Sequence, residues 1–272
     1  MKTDARSSGE MVLIDHNAMH TTCFQLTLVE EFALHSGGRR LSVPHAAERV
    51  LTYLALLNRP VARGRLAGAL WPECADRCAA QRLRTALWRL RRVQDAVVEI
   101  NGDRLRLHPD ISVDLAYLTE LAHRLVHQPC PEDLARVPLL LNRGELLPDW
   151  DEEWVVVDRE RYRLARVAAL ESAAEALLGR RQGGAALMAA SAVVAAEPLR
   201  ESSRRILMRI HLAQGNKIDA LREYQRYRDL LWAEFGARPS PEIDDLRLRV
   251  NECDAASVEW LLDHRHEALR AP

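Results

Sequence analysis

The sequence predicts a mainly α protein with small β elements, an N-terminal winged helix-turn-helix followed by an all-α, tetratricopeptide-like region. Three observations predict it. Apolar residues alternate at period two from Phe24, switch to helical spacing from Ala47, and end in two short alternating runs around Asn101-Gly102. Residues 77–92 hold six arginines and no acidic residue. Further on, apolar residues repeat at an offset of 34 residues, the period of helix-turn-helix solenoids.

Residues 1–20 are polar and aperiodic, and an unstructured extension is expected there. Phe24, Leu26 and Leu28 then alternate, Phe32 and Leu34 continue, Ser36-Gly37-Gly38 turns, and Leu41 and Val43 resume, which predicts a small antiparallel sheet. Pro44 ends it. Ala47, Val50, Leu51, Leu54 and Leu57 share one helical face, and Asn58-Arg59-Pro60 breaks that helix. A short second helix turns Leu66, Ala67 and Leu70 inward and stops at Trp71-Pro72. Asp76 is expected to N-cap a third helix that runs to about Val93, with Leu83, Ala86, Leu87 and Leu90 as its buried stripe. Val97–Ile100 and Arg104–Leu107 read as a hairpin whose type I′ turn is Asn101-Gly102.

From Val113 the chain reads as helical. One helix covers Asp114–Val126, and residues 129–150, with Pro129, Pro131, Pro138 and Pro148, read as a packed irregular connection. A long helix is expected from about Glu153 to Leu178. Leu178 then matches Leu212, and Ala186-Leu187 matches Ala220-Leu221, each pair 34 residues apart with a Gly-containing turn between helices. Such stacked pairs need neighbours to bury their faces. Pro239 and Pro241 open a helix over about 241–250, and 254–270 is expected to form a last one. The expected division is 21–110 for the winged helix and 111–272 for the helical domain.

Hydrophobic residues make up 48% and charged residues 28% of the 272, a profile that excludes disorder as the main state. No apolar run approaches the roughly 20 residues of a membrane helix. No apolar stretch follows the first charges, so no secretory signal is read, and the five scattered cysteines are expected as reduced thiols in the cytoplasm. Net charge is −1 but divides unevenly: residues 21–110 carry 14 Arg against 9 Asp and Glu, whereas 111–272 carry 22 Lys and Arg against 27. The basic first segment points to a polyanion partner. Lysine occurs only at Lys2 and Lys217; arginine suits bidentate contact with phosphate and guanine, although GC-rich coding produces the same skew.

The arginine-dense helix carries the chemistry. At about 100° per residue, Gln81, Thr85, Trp88, Arg89 and Arg92 lie opposite the Leu83, Leu87 and Leu90 face, with Arg82, Arg84 and Arg91 on the flanks. A major-groove helix needs an apolar face to anchor it and a polar face to read bases and neutralise phosphate. We expect Gln81, Thr85, Trp88 and Arg89 at base edges and Arg82, Arg84 and Arg92 on phosphates. Arg104 and Arg106 of the hairpin would touch the adjacent minor groove or its backbone. The competing readings are a merely solvated basic face for the helix and an ordinary exposed strand face for the hairpin. The short helix before it, the hairpin after it and the outward Trp88 argue against the first.

Other constellations carry less. His123, His127 and Cys130 have spacing a zinc ion could use, but the Glu of H-E-x-x-H is absent; exposed histidines and a packed thiol are expected. Cys74 and Cys78 flank the third helix start, where a redox pair is conceivable but small helix-start residues are the simpler reading. His264 and His266 read as exposed. No phosphate-loop, dinucleotide-binding or G-x-S-x-G motif and no nucleophile–base pair is found. No enzyme, metal or cofactor is therefore expected.

Several stretches together resemble the Streptomyces antibiotic regulatory protein family, in its short form without an ATPase domain. They are Arg49–Leu57, Arg65-Leu-Ala-Gly-Ala-Leu-Trp-Pro72 and Leu83–Arg92 in the first part. In the second part, called the bacterial transcriptional activator domain, they are Gly144-Glu-Leu-Leu-Pro-Asp-Trp150, Glu197-Pro-Leu-Arg-Glu-Ser202, Gly215–Tyr224 and Gly236-Ala-Arg-Pro-Ser-Pro241. The resemblance covers about 22–250. It implies a response-regulator type winged helix that binds direct repeats in promoters, activation by contact with RNA polymerase including its sigma subunit, and control of secondary-metabolite genes. It also implies a dimer on DNA and no membrane partner. The alternative is a tetratricopeptide-type protein-interaction adaptor without specific DNA binding.

Overall fold

The computed structural model describes residues 24–93 and 97–248; the expected extension over 1–20 and the expected helix over 254–270 lie outside the described residues. These pack as two compact units: residues 24–27 with Phe32–Val113, and Leu28–Glu31 with residues 114–248.

The first unit opens with strands β1 (Phe24–Thr27), β2 (Ala33–Ser36) and β3 (Arg39–Leu41). Ser36 pairs with Arg39, so Gly37-Gly38 is the whole loop, and both glycines take the positive φ that a tight hairpin requires. Three helices follow: α1 (His45–Leu57), α2 (Arg63–Leu70) and α3 (Asp76–Val93). Asn58 closes α1 in the left-handed conformation, its amide donating to the Leu54 carbonyl, which explains the break at Asn58-Arg59-Pro60. The predicted inward residues of all three helices are buried except Leu57, which is half-buried at the last position of α1, and Leu51, Leu54, Leu66, Leu70 and Leu90 are among the largest fully enclosed side chains. Burying each is worth about 1.5–3 kcal/mol. That common core ties α3 to α1 and α2 and leaves one face of α3 outside.

Two short strands went unread in the sequence. Val61–Ala62 forms β4 and pairs with the hairpin β5 (Val98–Asn101) and β6 (Arg104–Leu107), giving a sheet of order β4-β6-β5. Ile111–Val113 forms β7, which joins the first sheet parallel to β1 in the order β3-β2-β1-β7. The sequence placed Val113 at the start of helical chain; pairing with β1 makes it the last residue of a strand.

Two local expectations need correction. Asp76 does not precede α3 but is its first residue, and the Ala75 carbonyl accepts the amides of Cys78 and Ala79. Asp76 acts instead through its charge at the positive end of the helix. The hairpin turn is one residue later than expected: Asn101 pairs with Arg104, so Gly102-Asp103 is the loop. Positive φ falls at Gly102 and not at Asn101 or Asp103, the pattern of a type II′ rather than a type I′ turn.

The second unit is helical apart from one isolated bridge, Val29 to Leu146. Its helices are α4 (Asp114–His127), α5 (Pro131–Leu134), α6 (Val137–Leu141), α7 (Glu153–Gly179), α8 (Gly183–Ala196), α9 (Glu201–Ala213) and α10 (Lys217–Phe235), followed by helical residues 241–248. Helices α5 and α6 supply the packing expected of the proline-rich connection. Successive helices α7, α8, α9 and α10 pack on one another, with α4 against α7. The repeat is visible in the helix ends: α7 and α9 end at Gly179 and Ala213, and α8 and α10 begin at Gly183 and Lys217, both 34 positions apart. Arg209 and Glu175, also 34 apart, form an ion pair at 2.9 Å. The two turns touch, and a Cβ at Gly183 would lie 2.6 Å from Gln214 Nε2. A side chain at that position would make the Gln214 amide move aside.

Buried polar groups lock this unit. Arg204 and Glu223 are both buried and pair at 2.7 Å. Glu171 accepts two bonds from Arg200, at 2.9 Å each, and one each from Ser202 and Ser203 at 2.6 Å. Burial works against the Glu171 carboxylate, yet the Arg200, Ser202 and Ser203 donors hold it below the usual carboxylate range. Glu201 accepts bonds from the Ser240 amide and from Tyr227. The stretches Glu197–Ser202 and Gly236–Pro241, singled out in the sequence, are thus the two halves of one polar seam.

Candidate nucleic-acid interface

Packing orients α3. Ala79, Leu83, Ala86, Leu87 and Leu90 are buried, and Gln81, Arg82, Arg84, Trp88, Arg89, Arg91 and Arg92 are exposed, with Thr85 half-buried. Trp88 is 56% exposed, an unusual position for the largest side chain. The Arg92 guanidinium lies over its ring at 5.1 Å, a cation–π contact that covers one ring face. Trp71, by contrast, is buried in the α2–α3 connection with Arg49 over its ring at 5.7 Å. Arg49 also donates to the Leu70 carbonyl at the end of α2. That brace fixes the approach of α2 to α3, and the sequence reading had not singled out Arg49.

The polar residues of the outer face are not equivalent. Arg84 Nη1 donates to Gln81 Oε1 at 2.9 Å, and the Thr85 hydroxyl donates to the Gln81 carbonyl at 3.0 Å. Arg82 Nη1 pairs with Glu73 Oε1 at 3.0 Å. Arg89 has no hydrogen-bond or ion-pair partner among the described residues. The helix therefore presents Trp88, Arg89 and Arg92 together, with Gln81, Arg84 and Thr85 linked one turn earlier.

On the hairpin, Arg104 and Arg106 share a face and alternate with fully buried Leu105. Arg104 is exposed and unpaired among the described residues. Arg106 is held by Glu99, its cross-strand partner, through Nε at 2.8 Å and Nη2 at 2.6 Å. A turn at Asn101-Gly102 would have set Glu99 opposite Arg104; the one-residue shift decides which arginine is neutralised. Glu73 and Glu99, like the bracing role of Arg49, were not legible in the sequence, because they act through register and reach.

The metal and redox alternatives gain no geometry. The His123 and His127 rings lie 4.3 Å apart on the exposed side of α4. Cys130 is engaged elsewhere, accepting the Asp133 amide as the N-cap of α5. No cluster of three metal-ligating side chains occurs among the described residues. Burial and a hydrogen bond with Cys78 push the Cys74 thiol up, the wrong direction for a reactive thiolate. No helix among the described residues is long and apolar enough to cross a membrane.

The bacterial transcriptional activator domain matches residues 114–251, half of the chain and nearly all described residues of the second unit. The chain belongs to the bacterial transcriptional activator domain family. The family is one of transcriptional regulators rather than enzymes, and the match bears out the resemblance to the Streptomyces antibiotic regulatory proteins. The chain is 30% identical over 233 residues to the regulatory protein AfsR of Streptomyces coelicolor, covering 82% of this chain and 24% of that protein. It is 29% identical over 230 residues to the AfsR of Streptomyces griseus, covering 80% and 23%. It thus spans about a quarter of the length of these curated relatives. The structure of Mycobacterium tuberculosis EmbR in complex with a low-affinity phosphopeptide superposes with a TM-score of 0.70 at 22% identity, covering 89% of this chain and 72% of that one. The shared fold therefore includes the winged-helix unit as well as the activator domain.

Proposed function

We propose that this chain is a sequence-specific DNA-binding transcriptional activator that acts in the cytoplasm. Helix α3 enters the major groove, with Gln81, Thr85, Trp88 and Arg89 at base edges and Arg82, Arg84 and Arg92 on phosphates. Arg104 and Arg106 of the hairpin lie along the adjacent minor groove or its backbone. The observation that carries this reading is the outward Trp88 beside Arg89, which has no partner among the described residues, on a helix whose opposite face is locked into the core. A helix with only a structural role has no reason to leave both in water.

The family resemblance extends the proposal. Promoter direct repeats are the target, two protomers occupy them, and the activator domain contacts RNA polymerase including its sigma subunit. Secondary-metabolite genes are the expected targets. Head-to-tail protomers on a direct repeat make a heterologous contact that the DNA itself terminates. The expected division of labour is residues 21–110 for DNA and 111–272 for protein contacts, with Ile111–Val113 packing in the first unit and Leu28–Glu31 in the second. The 34-residue repeat favours a second reading, an adaptor that binds peptides alone.

Salt dependence separates the two. Binding of a DNA duplex measured over a salt series should weaken with a log–log slope of about 0.9 per phosphate contact. A slope near zero, or no duplex binding, favours the adaptor.

A further inference from the structure

We propose that Glu73 and Glu99 determine specificity by holding two arginines of the DNA-facing surface off the phosphate backbone until a matched site docks closely. This rests on the DNA-binding reading of α3. Four arginines of α3 and the hairpin fall into two contrasting pairs. Arg89 and Arg104 are exposed and lack an acidic partner among the described residues. Arg82 is paired with Glu73 at 3.0 Å, and Arg106 with Glu99 at 2.6 Å.

Neither pair is needed for the fold. The Arg82 and Glu73 side chains are 50% and 62% exposed, and those of Arg106 and Glu99 43% and 37%; ion pairs this open add little to stability. Both sit where duplex DNA would lie, one at the start of the reading helix and one on the hairpin. A guanidinium already held by a carboxylate releases no counterion from a phosphate, and the carboxylate repels that phosphate. Non-specific binding consists almost wholly of such phosphate contacts, so the clamps act on it in full. In a matched complex, base contacts by Arg89 and its neighbours draw the surface in. A phosphate can then take each guanidinium from its carboxylate.

The test uses the full chain with Glu73→Gln, Glu99→Gln, both together, and Arg82→Gln alone and in the Glu73→Gln background. Each is titrated by fluorescence anisotropy against a scrambled duplex and against a fragment the wild type selects from genomic DNA, over a salt series. Thermal unfolding confirms that each variant is folded. For the scrambled duplex, the double glutamate variant should bind about 10-fold tighter and steepen the salt slope by about 0.9 per arginine released. The selected fragment should gain much less, so the ratio between the two falls. Arg82→Gln should cancel the Glu73→Gln gain. Unchanged affinity and slope on the scrambled duplex would overturn the proposal, as would equal gains on both duplexes, which mean general repulsion. If the wild type shows no salt-dependent DNA binding, the DNA-binding reading falls and takes this proposal with it; if it binds and the variants match it, this proposal alone fails.

Discussion

The Asp114 carboxylate holds Leu28 across 86 positions of sequence, accepting its backbone amide at 2.8 Å. The same group accepts the amides of Val29 at 3.2 Å and Leu115 at 2.7 Å. One side chain at the start of α4 thus recruits residues Leu28–Glu31 into the second unit, and the Gly144–Trp150 stretch completes the attachment. The Glu30 amide donates to the Glu145 carbonyl, the Leu147 amide donates to the Leu28 carbonyl, and Arg159 donates to the carbonyls of Leu146, Leu147 and Trp150.

Asp114→Ala should destabilise the second unit by about 1–3 kcal/mol for each amide left buried without an acceptor, read by urea unfolding. Asp114→Asn keeps one oxygen and should lose less. The pH dependence has a definite sign. Burial pushes the Asp114 carboxyl above its usual value of 3.8, against the pull of the amide donors. The folded state therefore binds the proton more tightly, and this group's contribution falls as pH rises from 3.8 through the raised folded value. The stability gap between wild type and Asp114→Asn should narrow over that rise; a widening gap would contradict the assignment.

Glu171 should behave in the opposite sense. Its donors win over burial and its carboxyl sits below the usual 4.5. Its stabilisation is present above that value and is lost as pH falls through the lower folded one. Urea unfolding should find Glu171→Gln less stable than wild type at neutral pH, with the difference shrinking in acid. A constant difference would mean that the charge of Glu171 contributes nothing.

The two faces of α3 should separate stability from binding. Leu90 is 2% exposed, and Leu90→Ala should cost about 2–5 kcal/mol of stability. Trp88→Ala, on the outer face, should change stability by no more than about 0.5 kcal/mol while weakening duplex binding. Thermal unfolding of both variants checks this. A Trp88→Ala protein as unstable as Leu90→Ala would place Trp88 in the core.

Arg89→Ala should relax sequence preference and cost about 1–3 kcal/mol of binding free energy. Arg84→Ala should weaken all duplexes nearly equally and flatten the salt slope. Titration of both variants against matched and single-substituted duplexes checks the pair. The opposite pattern would show that the roles are rotated around the helix.

The faces of α3 were legible in the sequence because Leu83, Leu87 and Leu90 contrast sharply with the arginines between them, and helical geometry converts that spacing directly into direction. The 34-residue repeat was legible for the same reason, since each match recurs in a fixed structural context. Strands β4 and β7 were not legible. Val61–Ala62 and Ile111–Val113 are too short to show a period, and they are strands only because β6 and β1 lie beside them. The position of the turn escaped because Asn101 favours a type I′ loop locally, whereas Glu99–Arg106 and Asn101–Arg104 pairing sets the register. Glu73 and Glu99 escaped as consequences of those same tertiary arrangements. The attachment of Leu28–Glu31 to the second unit depends on Asp114, far away in sequence, and no local pattern announces it.

Trp88 and Arg89 are proposed to read DNA from the outer face of α3. The most direct test of that role is a selection of sheared DNA from the source genome on purified protein at near-physiological salt, with a Trp88→Ala/Arg89→Ala variant alongside. Enrichment of a few promoter fragments that share a short direct repeat, lost in the variant, is expected. Equal recovery by the two proteins, or no enrichment by either, would contradict that role.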